Sequence, residues 1–125
     1  MTDSASPPHP GSRPPDFEFP FAEARVAIDE LEHAAGQLRS LVDEHRGAAD
    51  HARVDFAGRT RERFDALFAQ HIADVEADVT AFQAQADALR DLVRQAHARQ
   101  HAAEQAVMRW QGAMNLYSMA ASRGR

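Results

Sequence analysis

The chain contains no cysteine and no lysine, and no proline after Pro20. Without cysteine there is no disulfide framework, no thiol nucleophile and no thiolate metal site. Without lysine, all 14 basic side chains are arginines, set against 19 carboxylates for a net charge of -5. An acidic balance of this kind argues against a general nucleic-acid binder. No run of about 18 apolar residues is present, so no membrane span is expected. The N-terminal residues lack a charged region followed by an apolar core, and no cleavable secretory signal is expected. Alternation of β-branched and aromatic residues between turn signals is also missing, which removes strands. There is no Gly-rich phosphate loop, no Ser/His/acid grouping and no paired-acid dyad. The acids Asp74, Glu76 and Asp78 stand two apart on a helix and point in different directions. The expectation is therefore a non-enzyme with no cofactor.

What is present is a helical chain of 125 residues with a distinct N-terminal piece. Residues 1–16 hold Pro7, Pro8, Pro10, Pro14 and Pro15 among serines and Gly11. Such a composition buries little and reads as a disordered tail. The domain proper spans 17–119, with a short tail over 120–125. Helix 1 is predicted over about 20–55, opened by Pro20 at its first position and Glu23 at the positive end of its dipole. Its apolar seam runs Phe21, Ala24, Ile28, Leu31, Ala35, Leu38, Val42, His45, Ala49, Ala52, Phe56. These steps of three and four are the seam spacing of a coiled coil. Arg25, Asp29, Glu32, Arg39, Asp43 and Arg46 make the solvated face.

Helix 2 is predicted from about 60, capped by Thr60, to 111 or beyond. Its seam reads Phe64, Phe68, Ile72, Val75, Val79, Phe82, Ala86, Leu89, Val93, Ala96, then Ala103, Val107, Trp110, Met114 and Tyr117. At 1.5 Å per residue, helix 2 to residue 111 is about 78 Å long and helix 1 about 50 Å. Residues from about 97 onward are thus expected to project past helix 1 or to fold back. The fold class is all-α: an antiparallel two-helix hairpin with a long second helix. One seam makes a thin core, so two hairpins are expected to pair into a four-helix bundle, with Leu41 and Leu92 serving a second interface.

Between the two seams lies Phe56-Ala57-Gly58, with Phe64 eight residues after Phe56. An aromatic plug, a glycine that allows a sharp reversal and a second aromatic packing back on the plug suit the closed end of a helical hairpin. The pattern resembles the Trp-x-Gly (WXG) family, the small helical-hairpin substrates of type VII (ESX) secretion, with Phe56 standing where that family has Trp. The resemblance covers roughly residues 17 to 100. It implies an interaction protein that pairs with itself or a sister hairpin, or engages a type VII secretion substrate or toxin, serving as a secretion substrate, partner or adaptor. It also implies a cytoplasmic location, or export without a cleavable signal. The lysine-free, Ala/Arg-rich composition accords with GC-rich, actinobacterial coding. Two features depart from the family. Trp110-Gln111-Gly112 matches the tripeptide literally, but only 13 residues follow it. The family's export signal, Tyr followed four residues on by Asp or Glu, has Tyr117 here but Ala121. The alternative is an intracellular structural or regulatory coiled-coil protein unrelated to secretion.

Val107, Trp110, Met114, Leu116 and Tyr117 are the expected partner interface. Aromatic and methionine side chains at this density favour adaptable protein contacts. From Arg94 on, five arginines face one carboxylate, Glu104. His97 and His101, four apart with Glu104 a turn on, have the spacing of a two-imidazole clamp, but no third ligand is identifiable and no metal is expected. His45 reads as a polar interruption of the helix 1 seam.

Overall fold

The computed structural model describes residues 7–124, and two helices account for most of them. They are α1, Phe21–Arg53, and α2, Gly58–Arg123. No strand occurs among the described residues. The contacts divide into two units. One is the hairpin Pro20–Val93; the other joins the segment ending at Phe19 to the part of α2 from Arg94 onward.

In the hairpin, α1 opens at Pro20, whose carbonyl accepts the first helical bond from Ala24 N–H at 3.0 Å. Pro20 itself is the residue before the helix, and Glu23 lies in the first turn. Three successive short-range bonds end α1: Val54 N–H to His51 O, Asp55 N–H to Ala52 O and Phe56 N–H to Arg53 O, at 3.3, 3.1 and 3.3 Å. Each spans three residues, so the last turn tightens as helix termini commonly do. The helix therefore stops at Arg53, two residues short of the expected end. Gly58, at φ +59°, takes the left-handed conformation and begins α2 directly. Thr60 is consequently inside the first turn rather than its cap.

The antiparallel register is visible in the cross-helix pairs. As the α1 partner recedes from Arg53 to Arg46 to Glu32, its α2 partner advances from Asp65 to Glu76 to Arg90. Every residue of the two predicted seams is buried or half-buried, and Arg25, Asp29, Glu32, Arg39, Asp43 and Arg46 are exposed. The buried positions of the hairpin are mostly small: Ala24, Ala35, Val42, Ala49, Val79 and Ala86, with Ile72 the one larger side chain. Alanine at the centre of a seam draws two helices close but removes little apolar area from water. Among the described residues no large side chain is fully buried. Leu41 is half-buried, whereas Leu92 is 49% exposed.

In the second unit α2 continues unbroken through residue 97 and on to Arg123. Gly112 does not end it. A glycine inside a helix costs only about 1 kcal/mol relative to alanine and needs no break. Along this stretch lies the N-terminal segment, residues 7–19, without regular secondary structure. Composition alone makes residues 1–16 a disordered tail. The structure instead places residues 9–17 against α2, because side chains of α2 supply partners for their backbone and rings. Residues 1–6 and 125 lie outside the described residues.

Candidate functional site

Two places gather the residues singled out by sequence. The first is the closed end of the hairpin. Phe56 comes from the turn and Phe64 and Phe68 from the first turns of α2, four apart and hence on one face. The Phe56 and Phe64 rings are 5.2 Å apart, and those of Phe64 and Phe68 are 6.1 Å apart and nearly parallel. All three are half-buried. Gly58 closes the reversal, and open space surrounds the position a Cβ would take. Its backbone angle, not crowding, is what calls for glycine.

Arg53 ties this end together. Its Nε donates to Asp65 at 2.6 Å and its Nη1 to Asp50 at 2.7 Å, while its guanidinium lies 5.5 Å from the centre of the Phe68 ring. The hydrogen bond to Asp65, supported by the charges of Asp65 and Asp50, raises its pKa further above the ordinary arginine range. One turn deeper, His45 Nδ1 and His71 Nε2 are 2.7 Å apart. A contact this short joins an N–H on one ring to a bare nitrogen on the other. His45 thus interrupts the apolar seam with a partner supplied from the facing helix. His71 gave no sequence signal, since it falls outside the predicted seam. Asp74, Glu76 and Asp78 are exposed; Glu76 pairs with Arg46, and Asp74 accepts from Gln70.

The second place is the face of α2 carrying Val107, Trp110, Met114 and Tyr117. Steps of three, four and three put these residues in one stripe, and all four are half-buried. Part of their cover is the N-terminal segment. The Trp110 indole N–H donates to the Gly11 carbonyl at 2.9 Å. The His9 ring meets Tyr117 edge-on at 4.9 Å, and Gly11 N–H holds that imidazole by donating to Nδ1 at 3.0 Å. Gly11 adopts φ +81°, which turns the chain here. Further along, Arg13, Asp16 and Phe17 line a shallow pocket with Gln100, Glu104 and Val107. Arg13 donates to Asp16 at 3.0 Å, bracing this part of the segment.

Leu116 is not part of the stripe. It projects from another side of the helix and is 61% exposed, as are Met108 at 64% and Met119 at 54%. No group of three or more potential metal ligands occurs among the described residues. No described helix is long and apolar enough to cross a membrane. Met108, Leu116 and Met119 leave apolar surface exposed on this part of α2. Searched against known proteins, the chain matches no family model, no curated protein and no solved structure.

Proposed function

We propose that this chain is a non-enzymatic helix–helix interaction protein that pairs with itself or with a sister hairpin. The observation that carries the reading is the imbalance between core and surface. The hairpin interior is mostly alanine and valine, while Val26, Leu67 and Leu92 stand 55%, 64% and 49% exposed. Large apolar side chains left outside a small-residue core contribute their burial only when another surface covers them. Pairing into a four-helix bundle supplies that surface.

Within this reading the chain serves as a type VII secretion substrate, partner or adaptor, cytoplasmic or exported without a cleavable signal. Support comes from the Phe56-x-Gly58 turn with Phe64, where Gly58 holds a left-handed backbone and Phe64 packs on Phe56. A second reading, an intracellular coiled-coil protein with no link to secretion, is favoured by one observation: Ala121 occupies the position of the export signal's carboxylate.

Light scattering of the full chain over a concentration series tests the pairing. The 13.8 kDa protein should move toward twice that mass as concentration rises through the micromolar range, and Leu92→Glu should move it back. A mass that stays monomeric throughout, with no helical-hairpin partner recovered from the native host, refutes the reading. Loss of the protein from culture filtrate when the host's type VII ATPase is deleted separates the secretion role from the intracellular one.

A further inference from the structure

The stripe of α2 best suited to a partner is already occupied, and by the chain itself. Trp110 and Tyr117 are the only tryptophan and tyrosine in the sequence, and both contact the proline-rich N-terminal segment. The contacts run through Gly11 and His9, at a turn flanked by prolines, where a backbone carbonyl outside any helix is open to accept from the indole N–H. Here the accepting carbonyl is that of Gly11, presented by its φ of +81°.

This cover includes a hydrogen bond from Trp110 to Gly11 and a ring contact of His9 with Tyr117; Gly11, His9 and Arg13 are exposed, whereas Pro10, Pro14 and Phe17 are half-buried. It has the advantage of attachment. Phe19 ends the segment and α1 starts at Phe21, so the segment competes at a high effective concentration, on the order of millimolar for a short tether.

We infer that residues 9–17 are a built-in competitor for the Val107–Trp110–Met114–Tyr117 stripe, and that a second copy of this chain docks there when they lift. The inference rests on the pairing reading above and names how that pairing is held back. Charge selects the occupant. Residues 94–125 carry five arginines against one carboxylate, whereas residues 20–93 carry fifteen carboxylates against eight arginines. The basic, aromatic end of one copy is thus matched to the acidic hairpin of another. A partner that binds only the uncovered form has its apparent affinity reduced by the fraction of molecules uncovered.

Gly11 allows a test that leaves both helices untouched. No atom lies within 4 Å of where its Cβ would be, so a side chain acts there through the backbone alone. Gly11→Val cannot hold φ +81° without strain, whereas Gly11→Asn tolerates it. In the full chain at sub-micromolar concentration, Gly11→Val should shift Trp110 emission to the red and increase its quenching by acrylamide, with the helical circular dichroism unchanged. On concentration its emission should return to the blue as dimer forms, with a dissociation constant at least tenfold below that of the natural chain. Added salt should weaken the dimer. Gly11→Asn should behave as the natural chain does. Unchanged emission in Gly11→Val shows that the segment does not cover Trp110, and the inference falls. Altered emission with equal self-association of both proteins also overturns it, but leaves the pairing reading standing. If neither protein associates at any concentration, the inference and self-pairing fall together, and only pairing with a sister hairpin is left to the recovery from the native host.

Discussion

Replacing Phe64 by alanine probes the element on which the hairpin turn depends. A fully buried phenylalanine costs about 3–5 kcal/mol on truncation to alanine. Phe64 is half-buried and touches two rings, at 5.2 and 6.1 Å. Scaling for exposure leaves a loss of about 2 kcal/mol, including the ring pairs. For a domain of this size each kcal/mol moves Tm by about 4–8 °C, so Phe64→Ala should melt roughly 8–16 °C lower. The assay is thermal melting followed by circular dichroism at low micromolar concentration, with urea unfolding as a check. Leu67→Ala is the internal control. It sits three residues along the same helix but is 64% exposed, so in the unpaired chain, compared below the concentration at which pairing sets in, its truncation should cost less than about 0.5 kcal/mol. If the two variants melt together, the closed end of the hairpin is not organised around Phe64, and the account of the turn is wrong.

Gly58→Val should destabilise the hairpin by roughly 1–2 kcal/mol, because φ +59° is a left-handed conformation that a β-branched residue resists; Gly58→Asn should lose less, and equal losses in urea melts would refute the backbone explanation. Arg53→Met should lower Tm, and the difference from the natural chain should shrink in high salt, since the lost contacts are to Asp65 and Asp50; a salt-independent loss would assign the effect to packing on Phe68 instead. The pKa of Arg53 is raised, so its contribution is fully present below the ordinary arginine pKa and is lost only as pH climbs past the raised value. The Tm difference between Arg53→Met and the natural chain should therefore stay constant from neutral to mildly alkaline pH, and a difference that fades across that range would contradict the pairing described.

The helices were legible because their signal is local and repetitive. Steps of three and four from Phe21 to Phe56, and again from Phe64 to Tyr117, name the inward positions, and none of them is exposed. Element ends were less legible. The tightened turn after Arg53 and the immediate start at Gly58 depend on backbone bonds that no composition rule reports. The N-terminal segment was the least legible part. Proline and serine forbid a core of their own, and that is all composition can say. What seats residues 9–17 is a donor on Trp110 and a ring on Tyr117, roughly a hundred positions away in sequence. The apolar residues of this stretch go round the helix rather than keeping to one stripe, and Leu116 accordingly lies exposed on another side of α2 from Trp110 and Tyr117.

The hydrogen bond between Trp110 and Gly11 joins residues 99 apart, and that span dictates an order of events. The hairpin turn is closed by contacts between near neighbours in the chain, which form early. Covering the aromatic stripe requires closing this span of 99 residues into a loop, so it comes late. During synthesis Gly11 emerges well before its seat at Trp110. A newly made chain therefore passes through an interval in which the hairpin has formed and the stripe is bare.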